Sequence, residues 1–173
     1  HRTAELVVSA LEGPGIVCEA GIGGTGVVGR LGDGRPAVGL RADMDGLPIQ
    51  EANEVPYASQ VPGGMHACGH DAHTAMLLGA AELLAGLPDR PVGEIRFLFQ
   101  PSEESSDAEG LSGAARMVEA GALESLHAVI AIHVDSGAGA GTIGVCEGPI
   151  AAAVDPFAAT IIGHGSHSAL PHQ

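Results

Sequence analysis

The sequence predicts an α/β fold in which a mostly parallel sheet is flanked by helices. Segments with apolar residues at helical spacing alternate along the chain with short apolar runs that are typical of strands. One such run, "HAVIAIHV", is continuously apolar, as strands buried on both faces usually are. Acidic or imidazole groups follow directly after three of the predicted strands, as expected where parallel strands end at a ligand crevice.

The first elements are a helix and a hairpin. Residues 3–12 have an amphipathic pattern that ends at the helix breaker Gly13-Pro14-Gly15. The apolar stretches "VVGRL" and "AVGLRADM" then flank "GDGRP", which contains an Asp-Gly turn signal. We therefore expect these two strands to pair as a hairpin.

The remaining elements continue the alternation of helices and strands. Ser112 is a candidate N-cap for the helix predicted in "SGAARMVEAGAL", and Gly121 lies near the predicted end of that helix. The predicted elements are a buried helix in "HTAMLLGAAELLAGL", a strand in "GEIRFLFQP", a helix in "SGAARMVEAGAL", a strand in "HAVIAIHV" and a short strand in "GTIGV".

A domain boundary is expected near residue 152, because "VDPFAATIIGHG" begins a new pattern there. The first domain would cover residues 1–152, and residues 153–173 would begin a second one. The chain starts within an amphipathic helix and stops before an element is complete. We therefore expect it to be truncated at both ends.

Composition excludes several classes of partner. The formal net charge is −14, so an anionic nucleic acid or membrane surface would be repelled. No run of about 18 apolar residues, the length that spans a bilayer, is present. Cys18, Cys68 and Cys146 are an odd, widely spaced set without a secretory signal. These features favour reduced thiols and a cytoplasmic location.

The stretch "GIGGTG" has the glycine spacing of a dinucleotide-binding loop, with Gly21, Gly23 and Gly26 in register. That function requires a helix to begin directly afterwards, so that its N-terminus meets the pyrophosphate. The residues that follow are rich in glycine and include a proline. We therefore expect a glycine-rich turn that leads into the hairpin.

The segment "ACGHD" is a candidate metal-binding loop. Cys68 and His70 are separated by one residue and could reach a single ion, while Gly69 allows a tight turn. Thiolate and imidazole suit zinc, and also manganese, cobalt or nickel where carboxylates complete the ligand set. The alternative is that Cys68 is a small buried apolar residue and the histidines cap the next helix.

Two further groups follow strand ends and strengthen the metal hypothesis. Glu103 and Glu104 come just after a strand, where one could bind metal while the other acts as a general base. A solvated acidic loop is the alternative. His133 ends a strand that is predicted to be buried, where an imidazole needs a hydrogen bond or a metal. These donors exceed the needs of one open site, so two metals that share ligands are expected.

Taken in order, several stretches resemble the amidohydrolase branch of the dinuclear metallo-carboxypeptidase and aminoacylase family. That branch includes hippurate hydrolases, N-acyl-amino-acid amidohydrolases and indole-acetyl-amino-acid hydrolases. The similar stretches are "GLRADMDGLPIQE", "MHACGHDAHTAMLLGAAELL", "IRFLFQPSEE", "GAARMVEAGAL" and "IIGHGSHSALPH".

The resemblance implies a role for each candidate residue. It implies a zinc-peptidase-like catalytic domain over residues 1–152, with Glu103 as catalytic base. It also implies that residues 153–173 begin a smaller α+β lid and dimerisation domain, whose His167 polarises the scissile carbonyl, often from a partner subunit. The implied ligands of the two divalent metal ions are Cys68, His70, Glu104 and His133.

The expected activity is hydrolysis of the amide bond in N-acyl amino acids or small peptides, through a metal-bound water and a glutamate base. Asp45 and Asp71, and with them Asp43, are candidates to orient the ligating imidazoles. The resemblance places a last metal ligand beyond residue 173, so this chain alone is expected to be inactive. The alternatives are a closed structural metal site and, on the strength of "GIGGTG", a nicotinamide-dependent oxidoreductase.

Overall fold

The computed structural model describes residues 2–151, 157–170 and 172. The chain divides into two compact units, His1–Asp135 and Ser136–Gln173. The predicted domain boundary at residue 152 falls among residues 152–156, which lie outside the described part of the chain, and it stays a prediction.

The first unit contains a five-stranded sheet with helices on both sides. The strand order is β1-β2-β4-β3-β5, in which β2 pairs antiparallel with β1 and β4, and β3 pairs parallel with β4 and β5. The α/β class is therefore confirmed, with a sheet that is mixed because its first three strands are antiparallel. The elements are α1 (Arg2–Glu12), β1 (Val17–Ile22), β2 (Gly26–Asp33), β3 (Ala37–Asp43), α2 (His70–Ala85), β4 (Gly93–Gln100), α3 (Gly113–Glu119) and β5 (Ala128–Ala131).

The predicted hairpin between β2 and β3 is wrong, because β4 lies between these two strands. Phe97, Leu98 and Phe99 of β4 are almost completely buried. A strand that is apolar on both faces is most stable in the middle of a sheet. The Asp-Gly signal defines only the local turn, which connects two strands that each pair with β4 instead.

The hairpin of this sheet is formed by β1 and β2, and "GIGGTG" supplies its turn. No helix follows the glycines, as expected for a turn and not for a dinucleotide-binding loop. Gly23 has φ +62°, and a Cβ there would lie 2.9 Å from the backbone nitrogen of Met117. The turn thus needs glycine in order to pack against α3.

Alternating residues of β4 divide the core into two clusters, because successive side chains of a strand point to opposite faces. Phe97 and Phe99 belong to the larger cluster, which includes Val7 and Leu11 of α1 and Leu77 of α2. Leu98 belongs to the smaller cluster, whose other buried members are Val28, Met117 and Ala122. Helices α1 and α2 therefore cover one face, and α3 contributes to the other.

The strand in "HAVIAIHV" is shorter and more exposed than predicted. β5 ends at Ala131, and Val129 and Ile130 are 45% and 55% exposed. The expectation of burial on both faces is wrong, because β5 is the last strand of the described sheet and pairs only with β3.

The other predicted elements of the second half have mixed outcomes. Ser112 is the N-cap of α3, since its side chain accepts a hydrogen bond from Ala115 N–H at 3.3 Å. The helix ends at Glu119, and Gly121 follows with φ +79°. The predicted strand at 141–145 is absent. A strand needs a hydrogen-bonded neighbour, and none pairs with this segment among the described residues.

Within the described part of the chain, each helix is too short or too polar to cross a bilayer.

Candidate metal centre

The candidate site lies where β3, β4 and β5 end. These three strands are parallel neighbours, so their carboxyl ends meet at one edge of the sheet, as the sequence predicted. Helix α2 begins at the same edge with His70 as its first residue. The side chains that follow these strands therefore gather around the start of one helix.

His70 is the buried centre of this group. Its side chain is 1% exposed, and its Nδ1 lies 3.3 Å from Asp45 Oδ1. Its Nε2 is buried without a hydrogen-bond partner, 3.6 Å from Glu104 Oε1 and 3.7 Å from Asp43 Oδ2. An unsatisfied buried ring nitrogen is costly, and a cation among these carboxylates would satisfy it.

Asp45 connects two of the candidate ligands. One of its oxygens faces His70 Nδ1, and the other accepts a hydrogen bond from Glu104 N–H at 3.0 Å. A carboxylate at the outer nitrogen of a histidine is the usual arrangement for a ligating imidazole, because it fixes the ring with its other nitrogen towards the metal.

Cys68 and His133 approach each other on the solvent side of His70. Cys68 Sγ lies 3.5 Å from His133 Nε2, and donor atoms of both residues and of His70 lie within 4.8 Å of one another. Gly69 separates Cys68 from His70 with φ +79°, which provides the tight turn that was predicted. The loop therefore enters the helix through a left-handed residue at Gly69.

Burial raises the pKa of the Cys68 thiol, and the hydrogen bond and charge of Glu104, together with the charges of Glu103 and Asp43, raise it further. This surplus of negative charge disfavours the thiolate in the protein alone. A divalent cation would reverse the effect, because it stabilises a coordinating thiolate directly.

Glu103 and Glu104 are both exposed and follow β4, as predicted. An oxygen of each lies within 4.8 Å of the other and of a ring nitrogen of His70. The structure therefore brings together five of the six predicted site residues. The sixth, His167, is an exposed residue of the second unit, where its Nδ1 accepts a hydrogen bond from Ala169 N–H at 3.2 Å.

Sequence reasoning did not distinguish Asp43 from its neighbours and missed His73. Asp43 and His73 are buried, and His73 Nδ1 lies 2.6 Å from Asp43 Oδ1. Asp71, which was a candidate to orient an imidazole, is exposed on the first turn of α2. The available signal was spacing, since residues three apart on a helix share a face, as His70 and His73 do.

The pKa of Asp43 is lower than usual. Burial by itself would raise it, but the hydrogen bond with His73 and the charge of Arg41 outweigh that effect. Arg41 Nη1 contacts Asp43 Oδ2 at 2.8 Å. Asp43 is therefore a buried, ionised acceptor beside the candidate ligands.

The donor set fits a divalent transition metal. One thiol, two imidazoles and several carboxylates match the preferences of zinc, and of manganese, cobalt or nickel in richer oxygen environments. The unpartnered Nε2 of His70 marks where such an ion would be coordinated.

Comparison with known proteins provides evidence that is independent of the geometry of the site. The sequence profile of peptidase family M20/M25/M40 matches residues 39–169. The chain is 44% identical to thermostable carboxypeptidase 2 of Saccharolobus solfataricus, over 100% of the chain and 44% of that protein. It is 47% identical to the N-acyl-L-amino acid amidohydrolase of Geobacillus stearothermophilus, over 100% of the chain and 46% of that protein.

A solved structure is also similar. The crystal structure of a Bacillus subtilis protein, described as a dinuclear metal-binding peptidase of the M20 family, superposes with a TM-score of 0.76 at 41% sequence identity. The match covers 86% of this chain and 41% of that one. The chain thus spans less than half the length of the curated relatives named here.

Proposed function

Because this chain belongs to peptidase family M20/M25/M40, we propose that the protein containing it hydrolyses the amide bond of N-acyl amino acids or small peptides with the aid of two divalent cations. Membership of the family confirms the resemblance predicted from the sequence.

The observation that carries the proposal is the state of His70. Its buried Nε2 has no hydrogen-bond partner, while Asp45 holds its Nδ1. Cys68, Glu104 and His133 place further donor atoms close to this ring. A buried histidine held only by protein hydrogen bonds would have a partner at that nitrogen, so its absence favours a bound cation.

In this proposal Cys68, His70, Glu104 and His133 hold the cations, which are zinc, manganese, cobalt or nickel. When bound, such ions act as Lewis acids and lower the pKa of water towards neutrality. Their binding would also neutralise part of the negative charge of the carboxylates at this edge of the sheet.

Glu103 is the proposed general base. It is exposed next to Glu104, so its carboxylate can reach a substrate from solvent while its neighbour binds metal. It takes a proton from the attacking water and returns it to the departing amine. A positioned base of this kind contributes roughly 10²–10⁴-fold to rate.

His167 is the proposed second catalytic group, which donates a hydrogen bond to the scissile carbonyl and stabilises the oxyanion that develops there. In the family that the chain resembles, this residue often acts from a partner subunit, so the protein is proposed to be a homo-oligomer that assembles through its lid domain. A cytoplasmic location is part of the same proposal.

The names of the relatives support the substrate class. One is an N-acyl-L-amino acid amidohydrolase, and another is a carboxypeptidase. Both names describe cleavage of an amide that joins an acyl group to an amino acid.

The test is a hydrolysis screen of the full-length protein with N-acetyl, N-benzoyl and indole-acetyl amino acids. The protein is stripped with a chelator and reloaded with manganese, zinc or cobalt. We expect turnover to disappear on stripping and to return with at least one ion, while the circular dichroism spectrum is retained. Turnover that survives complete removal of metal would contradict the proposal. Unfolding on stripping, without any hydrolysis before it, would favour the alternative of a structural metal site.

A further inference from the structure

We propose that His73 is a positioning residue, which fixes the backbone of Val134 and thereby holds the imidazole of His133 beside Cys68. The inference rests on the proposed function, in which His133 is a metal ligand. It extends that function to a residue whose two ring nitrogens are both engaged by protein groups.

The hydrogen bonds of His73 define a single tautomer. Its Nδ1 lies 2.6 Å from Asp43 Oδ1, and a carboxylate that is paired with Arg41 only accepts hydrogen bonds. Its Nε2 lies 2.9 Å from the backbone nitrogen of Val134, which only donates. The ring is therefore neutral, with the proton on Nδ1 and an acceptor at Nε2.

Asp43 anchors the His73 ring in the middle of the sheet. Asp43 is the last residue of β3, is 1% exposed and pairs with Gln100 of β4. His73 is also buried and belongs to the first turn of α2. The hydrogen bond from Val134 thus ties the segment after β5 to two rigid elements.

That segment carries His133. β5 ends at Ala131, so its ladder of hydrogen bonds with β3 stops before His133. His133 Nδ1 donates to the carbonyl oxygen of Val134 at 2.7 Å, which leaves Nε2 towards Cys68 Sγ at 3.5 Å. The rings of His73 and His133 also make an edge contact, with centroids 4.5 Å apart. Fixing the peptide of Val134 therefore fixes the direction of the His133 ring.

Gly69 lies against the side chain of Val134. A Cβ at this position would overlap Val134 Cγ2, and the backbone has φ +79°. The Val134 side chain thus occupies space that any residue other than glycine between Cys68 and His70 would need. Val134 contacts the ligand loop through its side chain and His73 through its backbone.

The test compares two substitutions of His73, each of which keeps one of its two hydrogen bonds and removes the other. H73N keeps a donor near the position of Nδ1 for Asp43 but has no acceptor for Val134 N–H. H73Q places an amide oxygen near the position of Nε2 and keeps that acceptor. T74V is the matched control, because Thr74 is also buried and donates to the backbone oxygen of Asp43 at 3.0 Å, but does not bond to Val134.

Three quantities are measured on the full-length protein. They are hydrogen exchange of the Val134 amide in the metal-free state, the affinity for Co²⁺, and the thiolate-to-cobalt absorption band that reports Cys68. For H73N we expect exchange at Val134 to accelerate about tenfold or more. We also expect roughly 10–100-fold weaker Co²⁺ binding with a reduced thiolate band. H73Q and T74V are both expected to stay within about threefold of wild type in exchange and affinity.

An H73N protein with unchanged exchange at Val134 and unchanged Co²⁺ affinity would overturn the inference. Equal loss of affinity in T74V would also overturn it, since the effect would then be general destabilisation. If H73N does not fold, H73Q decides, because loss of both protection and affinity in H73Q contradicts the role of the acceptor. If the wild-type protein binds no metal, the proposed function fails, while exchange at Val134 still tests the anchor.

Discussion

The two ends of the β3–β4 pair differ in how their charges are balanced. At the amino end of β4, Glu94 accepts from Arg30 at 2.7 Å and from Arg96 at 2.8 Å. Arg96 also donates to the backbone oxygens of Ala122 and Glu124. At the carboxyl end of the pair, Arg41 contacts Asp43. Further acidic groups lie around His70 at this end, namely Asp45, Glu103, Glu104 and the thiol of Cys68.

This difference separates a structural end of the sheet from a functional one. The hydrogen bond from Arg96 lowers the pKa of Glu94, so the carboxylate is stabilised by partners that the chain supplies itself. At the other end burial and neighbouring carboxylates raise the pKa of Cys68, and His70 Nε2 has no partner. The carboxyl end is thus the end that a bound cation would complete.

The largest effect is expected at the proposed base. E103Q removes the carboxylate that accepts a proton and should lower turnover by roughly 10²–10⁴-fold. The metal content should stay at the wild-type value, since Glu104 and the other proposed ligands are intact. Steady-state kinetics and elemental analysis of the full-length protein measure the two quantities.

A surface glutamate provides the control for E103Q. Glu119 is exposed and pairs with Arg116 at 2.9 Å on α3, so E119Q should retain turnover within about twofold. Retained turnover in E103Q would show that the base lies elsewhere.

The second prediction concerns support of the ligands. D45N weakens the hold on His70 and Glu104 and should reduce metal affinity by roughly 10–100-fold. D71N is the matched control, since Asp71 is exposed, and its affinity should change by less than about twofold. Chelator competition measures both constants. Equal losses in the two variants would contradict the assignment of this role to Asp45.

The third prediction compares alanine substitutions at two glycines, one just before α2 and one within it. G69A forces a left-handed residue against Val134 and should destabilise the protein by about 1–3 kcal/mol. G79A lies within α2 with open space around its Cβ and should stabilise by roughly 0.5–1 kcal/mol. Urea unfolding reports both changes. A tolerated alanine at residue 69 would mean that the ligand loop does not need this turn.

The smallest effect is expected at the balanced end. E94Q should cost on the order of 1 kcal/mol at neutral pH. Because the folded pKa of Glu94 is depressed, its contribution is fully present above the ordinary value of 4.5 and is lost as the pH falls through the lower folded value. The stability difference between wild type and E94Q should therefore shrink below about pH 4.5.

Unfolding curves of metal-free protein from pH 3 to 7 measure this effect. E82Q, a change at an exposed position of α2, is the control and should follow the wild-type profile. A wild-type minus E94Q difference that is independent of pH would argue against the ion pairs of Glu94 as its source.

How much of the fold the sequence predicts depends on whether a pattern is local. The apolar run of β4 and the periodicity of α2 identify these elements, because the residues of each element alone indicate which of its side chains are buried. The order of the strands is not local. β2 and β3 have the same hairpin signals whether or not β4 enters between them, and the exposure of β5 depends on its neighbours.

The candidate ligands could be named from the sequence because reactive residue types stand next to regular elements. Glu104 and His133 follow strands, while Cys68 and His70 stand where α2 begins. The pairing of His73 with Asp43 could not be predicted, since the sequence places each residue within a regular helix or strand. Their contact requires knowing that the last residue of β3 meets the first turn of α2, which only the fold provides.

The most direct test of the metal centre is anomalous diffraction from crystals of the full-length protein loaded with zinc. We expect a peak about 2.0–2.3 Å from His70 Nε2 and Cys68 Sγ, with a second peak about 3.5–4 Å from the first. Zinc bound elsewhere, with His70 Nε2 still without a partner, would contradict the proposed metal centre.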